Sequence, residues 1–260
     1  MGLESDFDET IKKTVEFISS GVENAKKDGV VIGLSGGIDS TLTAFLSVKA
    51  IGKENVLGIL IPERGVTDPE DICDAMEVIE VLDIKHKAIE ISGILDAFAG
   101  AIPDYDPILH ICNGNLKARI RMCALYYYAN LLNRLVIGTG NKTEVILGYA
   151  TKYGDGGVDM LPLGGLYKAQ VMALARHLKV PKQIIEKPPS AGLWKGQTDE
   201  KELGISYEII DSILMKLIDE KKAPANIKIE LGISEDIIER IIKRIEENKH
   251  KREMVPILEM

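Results

Sequence analysis

Apolar positions along the chain follow two different spacings. Residues 7 to 28 carry Ile11, Val15, Ile18 and Val22 at the three-to-four-residue interval of one helix face, and the pattern stops at Gly29. Then the period changes. Val30 to Leu34 (VVIGL) is a short apolar run of buried-strand type, and similar runs recur at Val56 to Ile61, Lys85 to Ile91 and Arg134 to Gly138. Helical patterns lie between and after them, at Thr41 to Ile51, Pro69 to Leu82 and Asn115 to Asn133. Strands alternating with helices imply right-handed crossovers and hence a parallel sheet covered on both faces.

After about residue 165 the strand signals fade. Helical patterns take over at Tyr167 to Leu178, Tyr207 to Lys221 and Ser234 to Asn248, the last with Ser234 at the N-cap, Glu235 and Asp236 in its first turn, and an isoleucine stripe at 237, 238, 241, 242 and 245. The expected organisation is one domain over residues 1–260: an α/β core at 1–165, then a mainly helical part at 166–260. Lys187-Pro188-Pro189-Ser190 and the stretch from Gly192 to Thr198 are the clearest loop signals in the second part.

Composition narrows the function classes. The chain has 260 residues, is 45% hydrophobic and carries a formal net charge of −8. That balance argues against a nucleic-acid partner, which needs clustered Lys and Arg. Apolar runs such as Leu131 to Ile137 are broken by Asn133 and Arg134, short of the ~20 residues a membrane span requires. The start, MGLESDFDET, is acidic where a secretory signal would be basic, so a cytoplasmic location is expected. Cys73, Cys112 and Cys123 show no Cys-x-x-Cys spacing and read as reduced thiols rather than a disulfide or zinc framework. Asn141-Lys142-Thr143 matches a glycosylation triplet, which in a cytosolic chain is a chance match.

The chemistry is carried by a loop. The first strand runs into Gly33-Leu34-Ser35-Gly36-Gly37-Ile38-Asp39-Ser40, followed at once by a helix. A glycine-rich turn that opens a helix presents backbone N–H groups and the positive end of the helix dipole, which together attract phosphate. The Walker pattern and its lysine are absent; instead Asp39 stands where a carboxylate can hold Mg2+ against phosphate oxygens. A second loop, Gly138-Thr139-Gly140-Asn141-Lys142-Thr143-Glu144, follows the fourth strand, which in a doubly wound sheet lies beside the first. The two loops then flank the switch point, where ligands bind. Gly138-x-Gly140 lacks the third glycine of a dinucleotide fingerprint, since Thr143 stands there.

The string SGGIDS resembles the PP-loop of the N-type ATP pyrophosphatases. Further on, Asn115-Leu116-Lys117-Ala118-Arg119-Ile120-Arg121-Met122, GTGNKTE at 138–144, GYATKYGDGGVD at 148–159, Leu166-Tyr167-Lys168, KPPSAGLW at 187–194 and His250-Lys251-Arg252 resemble, in order, the signatures of ammonia-dependent NAD+ synthetase. The resemblance implies a five-stranded, mostly parallel sheet of the adenine-nucleotide α-hydrolase, Rossmann-like type with a helical C-terminal portion. It implies that the carboxylate of deamido-NAD+ is adenylated by ATP and that ammonia then displaces AMP to give NAD+. Residue by residue, Gly33, Leu34, Ser35, Gly36, Gly37, Ile38, Asp39, Ser40, Thr139, Lys168 and Ser190 would bind ATP. Asp39 and Glu144 would hold Mg2+, and Arg119, Lys152, Asp159, His250 and Lys251 would bind deamido-NAD+. Asp39 and Lys168 would serve catalysis, with Asp155 a candidate for polarising ammonia. A homodimer is implied as well, with the Asn115 to Arg134 helix as a candidate contact.

Such chemistry rests on positioning and electrostatics, so no covalent nucleophile is needed. His110 and Cys112 accordingly read as a loop histidine and a small apolar residue. Only one helix precedes the ATP loop, leaving no room for a glutaminase domain; free ammonia is therefore the expected donor. The segments Pro62 to Pro69 and Gly192 to Leu203, rich in turn formers and charge, are expected to act as lids. The rival readings are a GMP-synthetase-like amidating ligase, a tRNA-modifying adenylating enzyme, and a nucleotide sensor on the same fold.

Overall fold

The computed structural model describes residues 6–260. A four-stranded parallel sheet forms its centre: β1 (Val30–Gly33), β2 (Val56–Leu60), β3 (Lys85–Ala88) and β4 (Leu135–Val136), in the order β3-β2-β1-β4. Helices α1 (Phe7–Asn24), α2 (Ile38–Ile51), α3 (Pro69–Leu82), α4 (Ser92–Ala101), α5 (His110–Leu131) and α6 (Lys142–Leu147) are interleaved with the strands. There follow α7 (Lys168–His177), α8 (Lys182–Glu186), α9 (Asp199–Leu203), α10 (Tyr207–Leu214), α11 (Pro224–Leu231) and α12 (Glu235–Glu247). Five strands were expected, and the described residues form four. The stretch after residue 157 does reach the free side of β4, but it pairs there only through an isolated parallel bridge between Ile137 and Met160. Asp159 N donates to Val136 O at 2.9 Å and Gly138 N to Met160 O at 2.8 Å. Pro162, which has no N–H, then ends the ladder.

The sheet is asymmetric in burial. β1 and β2 are the buried runs the apolar pattern implies, whereas all four residues of β3 are exposed. Expecting a buried run there overlooked Lys85 and Lys87, charges that protect an edge strand from pairing with another chain. The first helix ends at Asn24, not at residue 28, because Lys26 already takes a left-handed backbone. Gly29, at φ +148°, brings β1 so close to Asn55 O that a Cβ would lie 2.0 Å from it.

One large core joins α1, α2, α3, α7 and α8 to one face of β1 and β2, through residues such as Ile18, Ile32, Leu42, Val78 and Leu174. The opposite face is covered by α5, whose Ala129 and Leu125 pack with Val31, Ile59 and Val136. A separate cluster assembles the C-terminal helices around Ile210, Ile213, Ile227, Ile238 and Ile241, and Leu147 and Tyr167 belong to it. At about 1.5–3 kcal/mol for each fully buried large aliphatic side chain, these isoleucines supply much of what holds the helical part together. Leu147 of α6 and Tyr167 before α7 root it to the elements that follow β4.

Candidate functional site

The loop after β1 is shaped by its own hydroxyls. Ser40 Oγ donates to Gly37 O at 3.0 Å and accepts from Ser35 N at 3.3 Å, while Gly37 N donates to Ser35 Oγ at 3.2 Å. Leu34 and Ile38 are buried in the core, so from these positions the loop presents its backbone only. Gly37 is the N-cap of α2 and caps it with no side chain, which leaves the first amide groups of the helix free to meet an anion.

Asp39, in the first turn of α2, is the meeting point. One carboxylate oxygen accepts from Asn141 Nδ2 at 3.0 Å; the other is paired with Lys168 Nζ. Lys168, the first residue of α7, is buried, and its ammonium lies 3.8 Å from Glu144 and 5.3 Å from the centre of the Tyr207 ring. Burial opposes its charge, but Asp39 and Glu144 outweigh this and raise its pKa. Glu144 is held well above the usual carboxylate range, by burial first and then by the charge of Asp39. Asn141 and Glu144 form a reciprocal capping box that begins α6, with Glu144 N donating to Asn141 Oδ1 at 3.1 Å. Thr139 lies half-buried in the same loop.

A third carboxylate faces this group. Asp199 is buried, accepts from Tyr207 OH at 2.9 Å and Tyr149 OH at 3.1 Å, and lies in the field of Lys168. Behind the cluster, Asp211 accepts from Thr143 Oγ1 at 2.5 Å and Ala169 N at 2.8 Å, and Thr143 Oγ1 in turn accepts from Lys168 N at 3.0 Å. These bonds fix the start of α7, and with it Lys168. Asp39 and Glu144 set two carboxylates beside one ammonium, a surplus of hard, negatively charged oxygen donors. Among the described residues no three acidic, histidine or cysteine side chains converge to hold an ion by themselves, so these two would fit a divalent magnesium ion only with phosphate oxygens and water completing its shell.

Arg119, Lys152, His250 and Lys251 form a second group. Arg119 Nε donates to Lys152 O at 3.3 Å, Lys152 Nζ to His250 O at 2.5 Å, and Lys251 Nζ to Gly148 O and Ala150 O at 2.7 and 2.9 Å. Together they surround the 148–155 loop, and Lys152 and Lys251 line a cleft of about 280 Å3 with Tyr153 and Met254. Asp155 accepts from Thr151 N at 2.8 Å, and burial raises its pKa. No hydrogen bond or ion pair among the described residues joins it to Asp39 or Lys168. Asp159 stands apart from both groups, accepting from Tyr126 OH at 3.0 Å and Val136 N at 2.8 Å, and so ties α5 to β4. Ser190 Oγ donates to Gln197 O at 2.8 Å and closes the 190–197 loop on itself.

Sequence reasoning missed Asn141, Asp199, Tyr207 and Asp211. The Asn-x-x-Glu spacing of a capping box could have found Asn141, which the glycosylation triplet obscured. Asp199, Tyr207 and Asp211 come from distant parts of the chain and leave no local signal.

A parallel sheet with a glycine-rich loop at the switch point, backed by a carboxylate–lysine cluster, defines a nucleotide-binding α/β protein. The family model described as NAD synthase matches residues 10–255. The NH(3)-dependent NAD(+) synthetase of Methanosarcina acetivorans is 49% identical over 255 residues, 98% of this chain and 99% of that protein. Among solved structures, the NH3-dependent NAD synthetase of Campylobacter jejuni, in complex with the nitrate ion, is 36% identical with a TM-score of 0.82, covering 98% of this chain and 100% of that one. The NMN synthetase of Francisella tularensis is 39% identical with a TM-score of 0.87, covering 99% and 100%. The chain belongs to the NAD synthase family.

Proposed function

We propose that this protein converts deamido-NAD+ to NAD+ with ATP and free ammonia, releasing AMP and pyrophosphate, as the last step of NAD+ formation. The observation that carries this reading is the convergence of Asp39, Glu144 and Lys168 where the loops after β1 and β4 meet. Backbone amides of Gly33 to Ser40 hold the phosphates of ATP, with Thr139 and Ser190 as further contacts. Lys168 donates to a phosphate oxygen, exchanging its carboxylate partners for the ligand. Asp39 and Glu144 would hold Mg2+, which, when bound, neutralises charge on the departing pyrophosphate. Arg119, Lys152, His250 and Lys251, with Asp159, receive deamido-NAD+; their cations supply locally the positive field that the net charge of −8 hides. Its carboxylate attacks the α-phosphorus to form an acyl-adenylate, the nitrogen lone pair of NH3 attacks the acyl carbon, and AMP leaves. Asp155 accepts a hydrogen bond from the incoming ammonia. The α/β core and the helical part work as one domain, and the protein acts as a homodimer in the cytoplasm. Among the described residues no helix is long and apolar enough to cross a membrane.

A second reading, amidation of nicotinate mononucleotide, is favoured by the likeness to the Francisella protein. One experiment separates the two: purified enzyme with ATP, Mg2+ and ammonium chloride, given deamido-NAD+ or nicotinate mononucleotide in parallel. NAD+ and pyrophosphate are expected from the first at a far higher kcat/KM, and essentially none when glutamine freed of ammonia replaces ammonium. Preference for the mononucleotide would overturn the assignment of the substrate, and comparable rates from glutamine that of the donor.

A further inference from the structure

Between the loop after β2, helix α4, the start of α5 and the Leu193-Trp194 segment lies a cleft of about 230 Å3 to which the reading above gives no task. Two cations stand in its wall, and both are engaged. Lys117 makes an ion pair with Glu63 Oε1 at 2.8 Å and donates to Leu193 O at 2.8 Å; Arg64 turns to Glu90 at 3.3 Å. Acceptors and aromatic faces remain. Glu63 Oε2 is buried without a hydrogen-bond partner, on a side chain only 11% exposed. Asp96 stands exposed on α4 at the rim. His110 and Trp194 rings lie 5.7 Å apart, tilted by 31°, and Tyr105 adds a third aromatic side chain.

This inventory selects a ligand class. An anion would have to displace buried Glu63 from Lys117 and would still meet Asp96 at the rim, and an apolar molecule would leave Glu63 Oε2 unsatisfied. A small cation rich in N–H groups supplies what is missing: a donor for Glu63, a charge for Asp96 and a partner for the aromatic faces. We propose that the cleft is the entry site at which ammonium is drawn from solution. The proposal rests on the reading of the chain as an ammonia-using ligase. Its location suits that task, because Thr151, whose amide donates to Asp155 at 2.8 Å, donates its hydroxyl to Asn115 Oδ1 at 2.7 Å, and Asn115 lies on α5 among Asn113, Gly114, Leu116 and Lys117 of the cleft wall. The start of α5 therefore connects the wall of the cleft with the loop assigned to the incoming nitrogen. Ammonium gives up one proton to water before reacting. The lone pair of NH3 then forms the C–N bond, the C–O bond to AMP breaks with its electron pair, and a second proton leaves the nitrogen.

The test is an ammonium titration at fixed pH on wild type, Asp96→Asn and Tyr105→Leu. Both positions lie outside the nucleotide sites. The expected result is a rise of about fivefold in KM for ammonium in each variant, the scale of one lost ionic or cation–π contact. KM for ATP and deamido-NAD+, and pyrophosphate release in the absence of ammonium, should stay at the wild-type level. Potassium ion, of the same charge and similar size, should compete with ammonium in wild type and less well in Asp96→Asn. An unchanged ammonium KM in both variants, or an equal rise in all three KM values, overturns the proposal. Wild-type enzyme that releases pyrophosphate but makes no NAD+ from ammonium would instead defeat the functional reading, and the entry site with it.

Discussion

At Gly36 the backbone takes φ of +78°, and a Cβ built there would lie 2.2 Å from Asp71 O. The phosphate loop thus presses on α3, and the same Asp71 pairs through its side chain with Lys187 at 2.8 Å, at the foot of the 188–198 loop. A local string of letters carries the glycine but neither contact, the second of which spans over a hundred residues. Asp39 shows the same division. Its place after two glycines was legible, because loop and helix start are consecutive in sequence; its partners Asn141 and Lys168 meet it only through the fold. Replacing it by asparagine keeps the shape and removes the charge that a metal and Lys168 both need. Adenylation by Asp39→Asn should fall by about 10²-fold or more with a modest change in ATP affinity. Single-turnover pyrophosphate release at saturating Mg2+ checks this, and an unchanged rate would remove Asp39 from the chemistry.

Elements were legible in proportion to their periodicity more than their length: α5, the longest helix, begins at His110 where the pattern placed its start at Asn115. The expected bounds of α3 agree with the structure to the residue, and α12 differs only at its ends, where Ser234 holds the N-cap position without its hydroxyl accepting a backbone hydrogen bond. Short helices such as α6 and α8 offered too few turns for a period to register. The pattern from Tyr207 to Lys221 is helical throughout, yet it splits into α10 and a π-helical turn, Met215–Asp219. There Asp219 accepts from Tyr167 OH at 2.9 Å and from Lys142 Nζ at 2.6 Å, contacts with α6 and α7 that periodicity could not foretell. Helix α10 also controls α7, because buried Asp211 accepts the amide of Ala169 near its start and the hydroxyl of Thr143. Asp211→Ala leaves both donors without a partner. A loss of about 3–6 kcal/mol is expected, two hydrogen bonds to a charged acceptor at about 1.5–3 kcal/mol each. Urea unfolding would read it as a lower midpoint at constant slope; a stability loss under about 0.5 kcal/mol, the level of an ordinary surface change, would show that α7 holds its start by other means.

For the whole molecule, the covered and the bare faces of α5 tell different stories. Leu125, Tyr126 and Tyr128 pack against the sheet, whereas Tyr127 and Leu131, four residues apart and so on one helix face, are 65% and 63% exposed. Ile111 in the first turn of the helix, and Ile108 just before it, are exposed to a similar degree. Large apolar side chains in this number on one element are more than a solitary soluble chain needs to leave in water. A second copy of the chain is the proposed cover. A two-fold pair would place the same face on both sides, so one substitution acts twice in the interface. Tyr127→Glu puts two carboxylates into that contact and removes two aromatic anchors, which should shift the protein from dimer to monomer at micromolar concentration. Arg119 lies two turns before Tyr127 on the same helix, so separation of the copies should weaken deamido-NAD+ binding more than ATP binding. Sedimentation velocity and the two KM values test both halves. A wild-type chain that sediments as a monomer would defeat the dimer outright. A dimer that survives Tyr127→Glu with both KM values unchanged would move the contact to another face.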